Sequence, residues 1–95
     1  PVAFRDILYV YMDGRQPVIK SKIKDYYERK PLKEIHDELN NGLFVVIRKN
    51  CIVNLENVKY FEGNTLHMID GKELEVSRKY KPSFRQRLIA YMGQV

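Results

Sequence analysis

The chain is organised around one hydrophobic segment, FVVIRKNCIVN, at residues 44–54. Four apolar residues precede a short polar step and three follow it, and most of them are β-branched or aromatic. Because neither apolar run alternates with polar residues, the pattern predicts β-strand that is buried on both faces. The polar step, Arg48, Lys49 and Asn50, must then reach the surface at one edge or end of the core.

This polar step carries side chains that suit nucleic acid. Arg and Lys bind phosphate or guanine, and an Asn amide matches the adenine edge, which offers one acceptor and one donor. The same three residues would also fit an ordinary solvated turn between two strands. On these residues alone, both interpretations stay open.

Short antiparallel strands are predicted on both sides of the central segment. Six of them are expected, at residues 6–12, 16–23, 25–29, 58–62, 65–69 and 72–77. The Asp13-Gly14 pair is a strong hairpin signal and places Arg15 at the tip of the first hairpin. Two further turn signals, at 63–64 and 70–71, make the second half a meander.

One short amphipathic helix and one C-terminal helix complete the predicted fold. Residues 31–39 place apolar side chains at helical spacing behind Pro31, which suits a first helical turn because it lacks an N–H. In the tail, an apolar stripe recurs every three or four residues, formed by Tyr80, Phe84, Leu88 and Tyr91. This second helix is predicted to begin either with an irregular turn at Ser77 or near Pro82.

The positive charge is concentrated in the same tail. The chain has a net charge of +5, yet residues 1–75 carry twelve Lys and Arg against twelve Asp and Glu. The whole excess lies in the last twenty residues, at Arg78, Lys79, Lys81, Arg85 and Arg87. This asymmetry favours a phosphate-rich partner, either nucleic acid or an acidic membrane. A solvated helix face is the plainer explanation.

Composition argues against several classes of protein. Ninety-five residues, 44% of them hydrophobic and 31% charged, are typical of one soluble globular domain. The sequence has no transmembrane run and no signal peptide, so a cytoplasmic protein without a membrane partner is expected. With one cysteine, Cys51, and two histidines, His36 and His67, neither an intrachain disulfide nor a zinc site is expected. No nucleophile is spaced near a base, which predicts a protein that is not an enzyme and uses no cofactor.

In their order and spacing, these elements resemble the LytTR domain, the DNA-binding output module of bacterial two-component response regulators. The resemblance rests on Asp6 to Tyr9, Pro31 to Leu39, Phe44 with Arg48, Ile52-Val53-Asn54, Val58, and Val76-Ser77-Arg78-Lys79-Tyr80. It covers residues 6–91, so residues 1–95 are expected to form a single domain of this kind.

The resemblance implies a fold and a way of binding. The fold would be mainly β, with three small antiparallel sheets in an elongated β-β-β sandwich, one short amphipathic helix and a C-terminal helix. Family members bind double-stranded promoter DNA sequence-specifically, for transcription regulation, by inserting loops rather than a recognition helix into successive major grooves. The corresponding residues here are Arg15 in the first hairpin, Lys49 and Asn50 in the polar step, and Arg78 before the last helix. Arg48, which precedes Lys49, is also expected to bind DNA.

Side-chain chemistry divides these residues by role. Arg78 would bind a guanine and Asn50 an adenine, and each would contribute about 1–3 kcal/mol of discrimination. Phosphate contacts would come from Lys20, Lys49, Lys79, Lys81 and Arg85. These contacts add affinity without sequence preference and weaken as salt increases.

The chain also departs from the common family form. Serine is usual where Cys51 stands, and histidine is frequent near Lys49. The first hairpin is short, so either Arg15 reaches a base or it touches only a phosphate. Cys51 is expected to be a small buried residue rather than a redox sensor.

Two other binding functions fit the composition. A small β domain with exposed strand edges can bind peptides by strand addition, and a basic domain can bind RNA. The tail, whose charged residues are all basic, favours nucleic acid over peptide. Most tyrosines fall at positions that the hydrophobic pattern places in the core, which argues against the stacking of single-stranded RNA bases on them. By the resemblance, the expected protein partners are a second copy on paired DNA repeats and an upstream receiver domain, which is absent from this chain.

Overall fold

The computed structural model describes residues 2–93, which form two antiparallel β-sheets and two α-helices. In chain order, the elements are β1 (Ile7–Asp13), β2 (Gln16–Ser21), β3 (Asp25–Tyr27), α1 (Leu32–Glu38), β4 (Phe44–Arg48), β5 (Cys51–Asn54), β6 (Val58–Glu62), β7 (Thr65–Met68), β8 (Glu73–Glu75) and α2 (Lys81–Met92). Short 3-10 turns precede β1 at Phe4–Asp6 and β6 at Leu55–Asn57. The prediction of a mainly β fold with two helices is therefore confirmed.

The predicted arrangement of three small sheets in a β-β-β sandwich is wrong. The described residues contain one five-stranded sheet, in the order β3-β2-β1-β5-β4, and one three-stranded sheet, in the order β6-β7-β8. The N-terminal meander joins the central strand pair because β1 pairs with β5, with Tyr9 opposite Val53 and Val10 opposite Ile52. Turn signals predict hairpins between neighbouring strands, but they hold no information about this long-range pairing.

The central strand pair is buried on both faces, as its unbroken hydrophobic pattern predicts. α1 covers one face of the five-stranded sheet, where Ile35 and Leu39 pack with Phe44 and Ile52. The three-stranded sheet and α2 cover the other face, in a cluster that includes Ile47, Cys51, Val53, Leu66, Met68 and Phe84. Each fully buried aliphatic side chain contributes about 1.5–3 kcal/mol of burial free energy. Two hydrophobic layers therefore hold β4 and β5 in place.

α2 begins at Lys81 with Pro82 in its first turn, so the predicted start near Pro82 is confirmed. Proline is favourable there because the N–H that it lacks would have no partner inside the helix. Phe84 is fully buried and meets Phe61 edge-on, with ring centroids 5.1 Å apart. This packing fixes where α2 starts, and it thereby fixes the turn of basic residues that precedes the helix.

Two buried asparagines join the N-terminal segment to the central strands. The Asn54 amide donates to the carbonyls of Phe4 at 3.0 Å and Ile7 at 2.9 Å. The Asn57 amide donates to the carbonyls of Arg5 at 3.0 Å and Ile7 at 2.7 Å. Buried backbone carbonyls need such partners, since they have lost water. Asn54, the last residue of the Ile-Val-Asn motif, therefore has a structural role.

Candidate nucleic-acid interface

The turns that carry Arg15 and Asn50 project from the same edge of the five-stranded sheet. This edge is the one formed by the ends of the strands, not by an outermost strand. β1 ends at the first of these turns, β5 begins at the second, and the two strands run antiparallel side by side. The end of β1 and the start of β5 must therefore lie at one edge. The β1–β2 turn, residues 14–15, and the β4–β5 turn, residues 49–50, are neighbours at that edge.

The segment before α2 reaches the same edge. The Ser77 backbone N–H donates to the Ile47 carbonyl at 2.9 Å, next to the end of β4. The Arg48 guanidinium donates to the Glu75 carbonyl, also at 2.9 Å. These two bonds position Arg78 beside the β4–β5 turn.

The three segments, residues 14–15, 48–50 and 77–79, are together named the turn edge. Sequence patterns predict each turn separately, and the pairing of β1 with β5 and the bond from Ser77 bring the turns together. The turn edge contains six of the predicted site residues, namely Arg15, Arg48, Lys49, Asn50, Arg78 and Lys79. Apart from Arg48, which is half-buried, these side chains are exposed.

Asn50 has a backbone role as well as a chemical one. Its φ is +66°, in the left-handed region of backbone conformation. Asn tolerates this region better than most residues that carry a Cβ, because its short polar side chain can bond locally. Its side chain is nevertheless exposed at the turn edge. The same residue therefore fits the turn and presents an amide that matches adenine.

Arg48 is more constrained than its neighbours in the polar step. Its bond to the Glu75 carbonyl ties β4 to the segment that leads into α2. Behind it, Cys51 is buried, as expected for a small core residue. Burial raises the pKa of the Cys51 thiol, and the nearby Arg48 charge lowers it only in part. The thiol is therefore less reactive than an exposed cysteine would be.

A shallow depression beside the turn edge is lined by three cations from the start of α2 and the turn before it. It is lined by Arg78, Lys81, Pro82, Arg85, Gln86 and Ile89. Lys81 donates to the Asn64 side-chain oxygen at 2.6 Å. The first turn of α2, which lies within the described residues, contains no acidic side chain. Because backbone N–H groups at a helix start also favour anions, this depression fits a phosphate.

Two other basic residues lie away from the turn edge. Lys20, predicted to contact phosphate, forms an ion pair with Asp25 at 3.2 Å, towards the far end of β2. Arg87 donates to the Gly42 carbonyl at 2.5 Å. The structure therefore does not bring either residue into the predicted site.

Arg29 and Lys33 are cations near the turn edge that the sequence analysis does not assign to the site. The Glu28 backbone N–H donates to the Pro17 carbonyl at 2.9 Å, which brings the segment between β3 and α1 next to the first turn. Arg29 and Arg15 line one depression there. Lys33 lines a second depression beside β5. The pairing of β3 with β2 would have placed Arg29 near the site. The sequence of a three-residue strand gives little indication of its partner strand, so this pairing is hard to predict.

His67 packs against an aromatic ring in the three-stranded sheet. It is half-buried and stacks on the Tyr60 ring, with centroids 4.0 Å apart and planes at 15°. Its Nδ1 lies 3.7 Å from a carboxylate oxygen of Glu73. The aromatic neighbour comes from the pairing of β6 with β7, and it gives His67 a structural role.

Residues 2–93 contain neither a cluster suited to a metal ion nor a membrane-spanning helix. No group of three or more His, Cys, Asp or Glu side chains in that range could hold a metal ion. The helices of the same range include none that is long and apolar enough to cross a membrane.

Comparison with known proteins shows the family and the fold of this chain. The family model of the LytTr DNA-binding domain matches residues 1–89. No curated protein matches the chain significantly. One solved structure, described as the LytTr DNA-binding domain of a methyl-accepting/DNA response regulator from Bacillus cereus, has a similar fold. It matches with a TM-score of 0.82 and 24% sequence identity, covering 93% of this chain and 85% of that chain. Because the family model spans nearly the whole sequence, the chain belongs to the LytTR DNA-binding domain family.

Proposed function

We propose that this domain binds double-stranded promoter DNA sequence-specifically and thereby regulates transcription. The observation that carries the proposal is the gathering of three separate polar turns at one edge of a sheet that is packed on both faces. Turns on such a base can enter a major groove, which is about 12 Å wide, without rearrangement of the fold. α2 turns its apolar stripe to the core, so the base contacts are assigned to loops rather than to a recognition helix.

Base recognition is assigned to Arg78 and Asn50. Both side chains are exposed at the turn edge. An Arg guanidinium can donate two bonds to the O6 and N7 atoms of guanine, and an Asn amide can pair with N6 and N7 of adenine. Each such pair contributes about 1–3 kcal/mol of discrimination against a wrong base.

Phosphate binding is assigned to Lys49, Lys79, Lys81 and Arg85. The last two residues lie at the start of α2, where a positive side chain is repelled by the positive end of the helix dipole. A phosphate in the adjoining depression would relieve this repulsion and accept bonds from the same cations. The arrangement is thus unfavourable in the free protein and favourable in a complex with DNA.

Arg15 and Arg48 are assigned supporting roles. Arg15 lies at the tip of a turn of only two residues, so it reaches a phosphate beside the groove more readily than a base. Arg48 is held by the Glu75 carbonyl, so it positions the β4–β5 turn and adds positive charge behind Lys49.

The functional unit is proposed to be a pair of these domains on repeated DNA sites, in the cytoplasm of a bacterium. A receiver domain upstream in the full-length protein would control their pairing. The support is that the similar solved structure comes from a protein described as a response regulator.

Selection of bound duplexes from a random pool of double-stranded DNA tests the proposal. The expected result is a short enriched motif that binds at least about 4 kcal/mol more tightly than a scrambled duplex. Affinity for the motif should fall steeply between two salt concentrations. Salt-sensitive binding without a motif would reduce the function to a generic basic surface. No binding at all would contradict the proposal and favour peptide binding at a strand edge.

A further inference from the structure

Arg29 is an exposed cation that the proposed DNA contacts leave unused. It follows β3, in which Tyr27 lies opposite Val18 of β2. The bond from the Glu28 N–H to the Pro17 carbonyl, at 2.9 Å, continues this pairing beyond the end of β3. Because β2 begins at the first turn, Arg29 leaves the sheet at the edge where that turn projects.

The strand order sets Arg29 in a row with the other cations. Along the order β3-β2-β1-β5-β4, Arg29 comes first, Arg15 second and Lys49 third. Arg78 follows beyond β4, through the bond from Ser77 to the Ile47 carbonyl. The row therefore crosses the full width of the sheet.

The Arg29 side chain is available for an external partner. Within residues 2–93, it has no carboxylate at ion-pair distance. The neighbouring acids Glu28 and Glu38 are both engaged by Lys30, at 3.8 and 2.7 Å. Asp13 lines the same depression as Arg29 but is not paired with it. Arg29 thus differs from Lys30, whose charge is compensated inside the protein.

Arg29 lies too far from the β4–β5 turn to enter the same major groove as Asn50. Three and a half strand spacings lie between β3 and the β4–β5 turn, which is about 17 Å at a spacing of about 4.8 Å. A major groove is only about 12 Å wide. When Asn50 contacts a base within the groove, Arg29 therefore meets the phosphate backbone that borders it.

We propose that Arg29, together with Arg15, binds a phosphate of the DNA backbone beside the groove that the β4–β5 turn enters. The inference rests on the proposed function and extends its interface to the segment between β3 and α1. A guanidinium suits this position because its planar donors can bind two phosphate oxygens at once. The contact sets the position of the domain on the duplex and reads no sequence.

Fluorescence anisotropy titrations of the Arg29→Ala domain test this inference. They use the selected duplex and a scrambled duplex, each at several salt concentrations. Affinity is expected to fall about three- to tenfold on both duplexes, and the plot of log affinity against log salt should become shallower by about one unit. Arg5→Ala is the matched control, because Arg5 is exposed at the opposite end of β1. The control should bind as the wild-type domain does.

The outcomes separate this inference from the proposed function. Arg29→Glu should weaken binding to both duplexes further than Arg29→Ala, because it adds repulsion. Wild-type affinity and salt dependence for Arg29→Ala, with binding of Arg78→Ala impaired, would overturn the inference alone. A loss confined to the selected duplex would also overturn it, since Arg29 would then read a base. Failure of the wild-type domain to bind any duplex would overturn the proposed function, and the inference with it.

Discussion

The two ends of the five-stranded sheet use the same residue type for different purposes. At the end near residues 4–7, the amides of Asn54 and Asn57 are buried and donate to backbone carbonyls. At the turn edge, the Asn50 side chain is exposed, and the cations around it extend into solvent. An amide thus stabilises the fold at one end and is available to a ligand at the other.

This difference shows that residue type alone does not mark a binding site. A buried polar group must find its partner inside the protein, whereas an exposed group can exchange water for a ligand without loss to the fold. Asn54 lies in the Ile-Val-Asn motif on which the resemblance partly rests, yet both of its amide donors are engaged by the Phe4 and Ile7 carbonyls. The interface is better located by exposed polar groups that share one edge.

Replacing Asn54 with Ala is expected to have the largest effect, on stability. The variant loses a buried bond to the Ile7 carbonyl, a partly buried bond to the Phe4 carbonyl, and the bond that Asn54 accepts from the Glu56 N–H at 3.0 Å. The free energy of unfolding should fall by about 3 kcal/mol, as measured by urea denaturation. Asn40→Ala is the control, because Asn40 is exposed, and it should change stability by less than about 0.5 kcal/mol. Equal effects of the two substitutions would contradict the structural role of Asn54.

Replacing Arg78 with Ala should act on binding and leave stability unchanged. Loss of the bidentate contact should weaken binding to the selected duplex by about tenfold or more, which corresponds to about 1–3 kcal/mol. A second selection with the variant should show one relaxed position in the motif. Gel-shift titrations measure the affinity, and an unchanged value would remove Arg78 from the interface.

Replacing Asn50 with Gly separates its two roles. Gly adopts the φ of +66° without strain, so the turn is retained while the amide is lost. Affinity for the selected duplex should fall about three- to tenfold, with loss of an adenine preference at one position. Wild-type affinity for Asn50→Gly would show that Asn50 serves the turn alone.

Replacing Lys81 with Ala should have the smallest effect. Affinity is expected to fall a few-fold on selected and scrambled duplexes alike, and the salt dependence should become shallower by about one unit. The same anisotropy titrations measure both quantities. A loss on the selected duplex only would make Lys81 a base-reading residue.

Local patterns in the sequence predict the elements well but not the way in which they pair. The unbroken run at residues 44–54 predicts two strands buried on both faces, and the Asp13-Gly14 pair predicts the first hairpin, because each depends on residues close in sequence. The predicted number of sheets was wrong because the number of sheets depends on the long-range pairing of β1 with β5.

For the candidate site too, local patterns predict the separate parts but not how they come together. The turn tips follow from local chemistry, whereas their gathering at one edge depends on strand register. Strand register also decides where Lys20 and Arg29 lie relative to the turn edge. The pairing of β2 with β3 places Asp25 opposite Lys20, and it places Arg29 next to Arg15.

Backbone amide chemical shifts of the domain, titrated with the selected duplex, test the central claim most directly. If the turn edge is the DNA interface, the largest shift changes will occur at residues 14–15, 29, 49–50 and 77–79. Residues 4–7, 21–24 and 54–57, at the other end of the sheet, should keep their shifts. The largest changes at that other end, or at the exposed C-terminal end of α2 around Met92, would contradict the assignment of the interface to the turn edge.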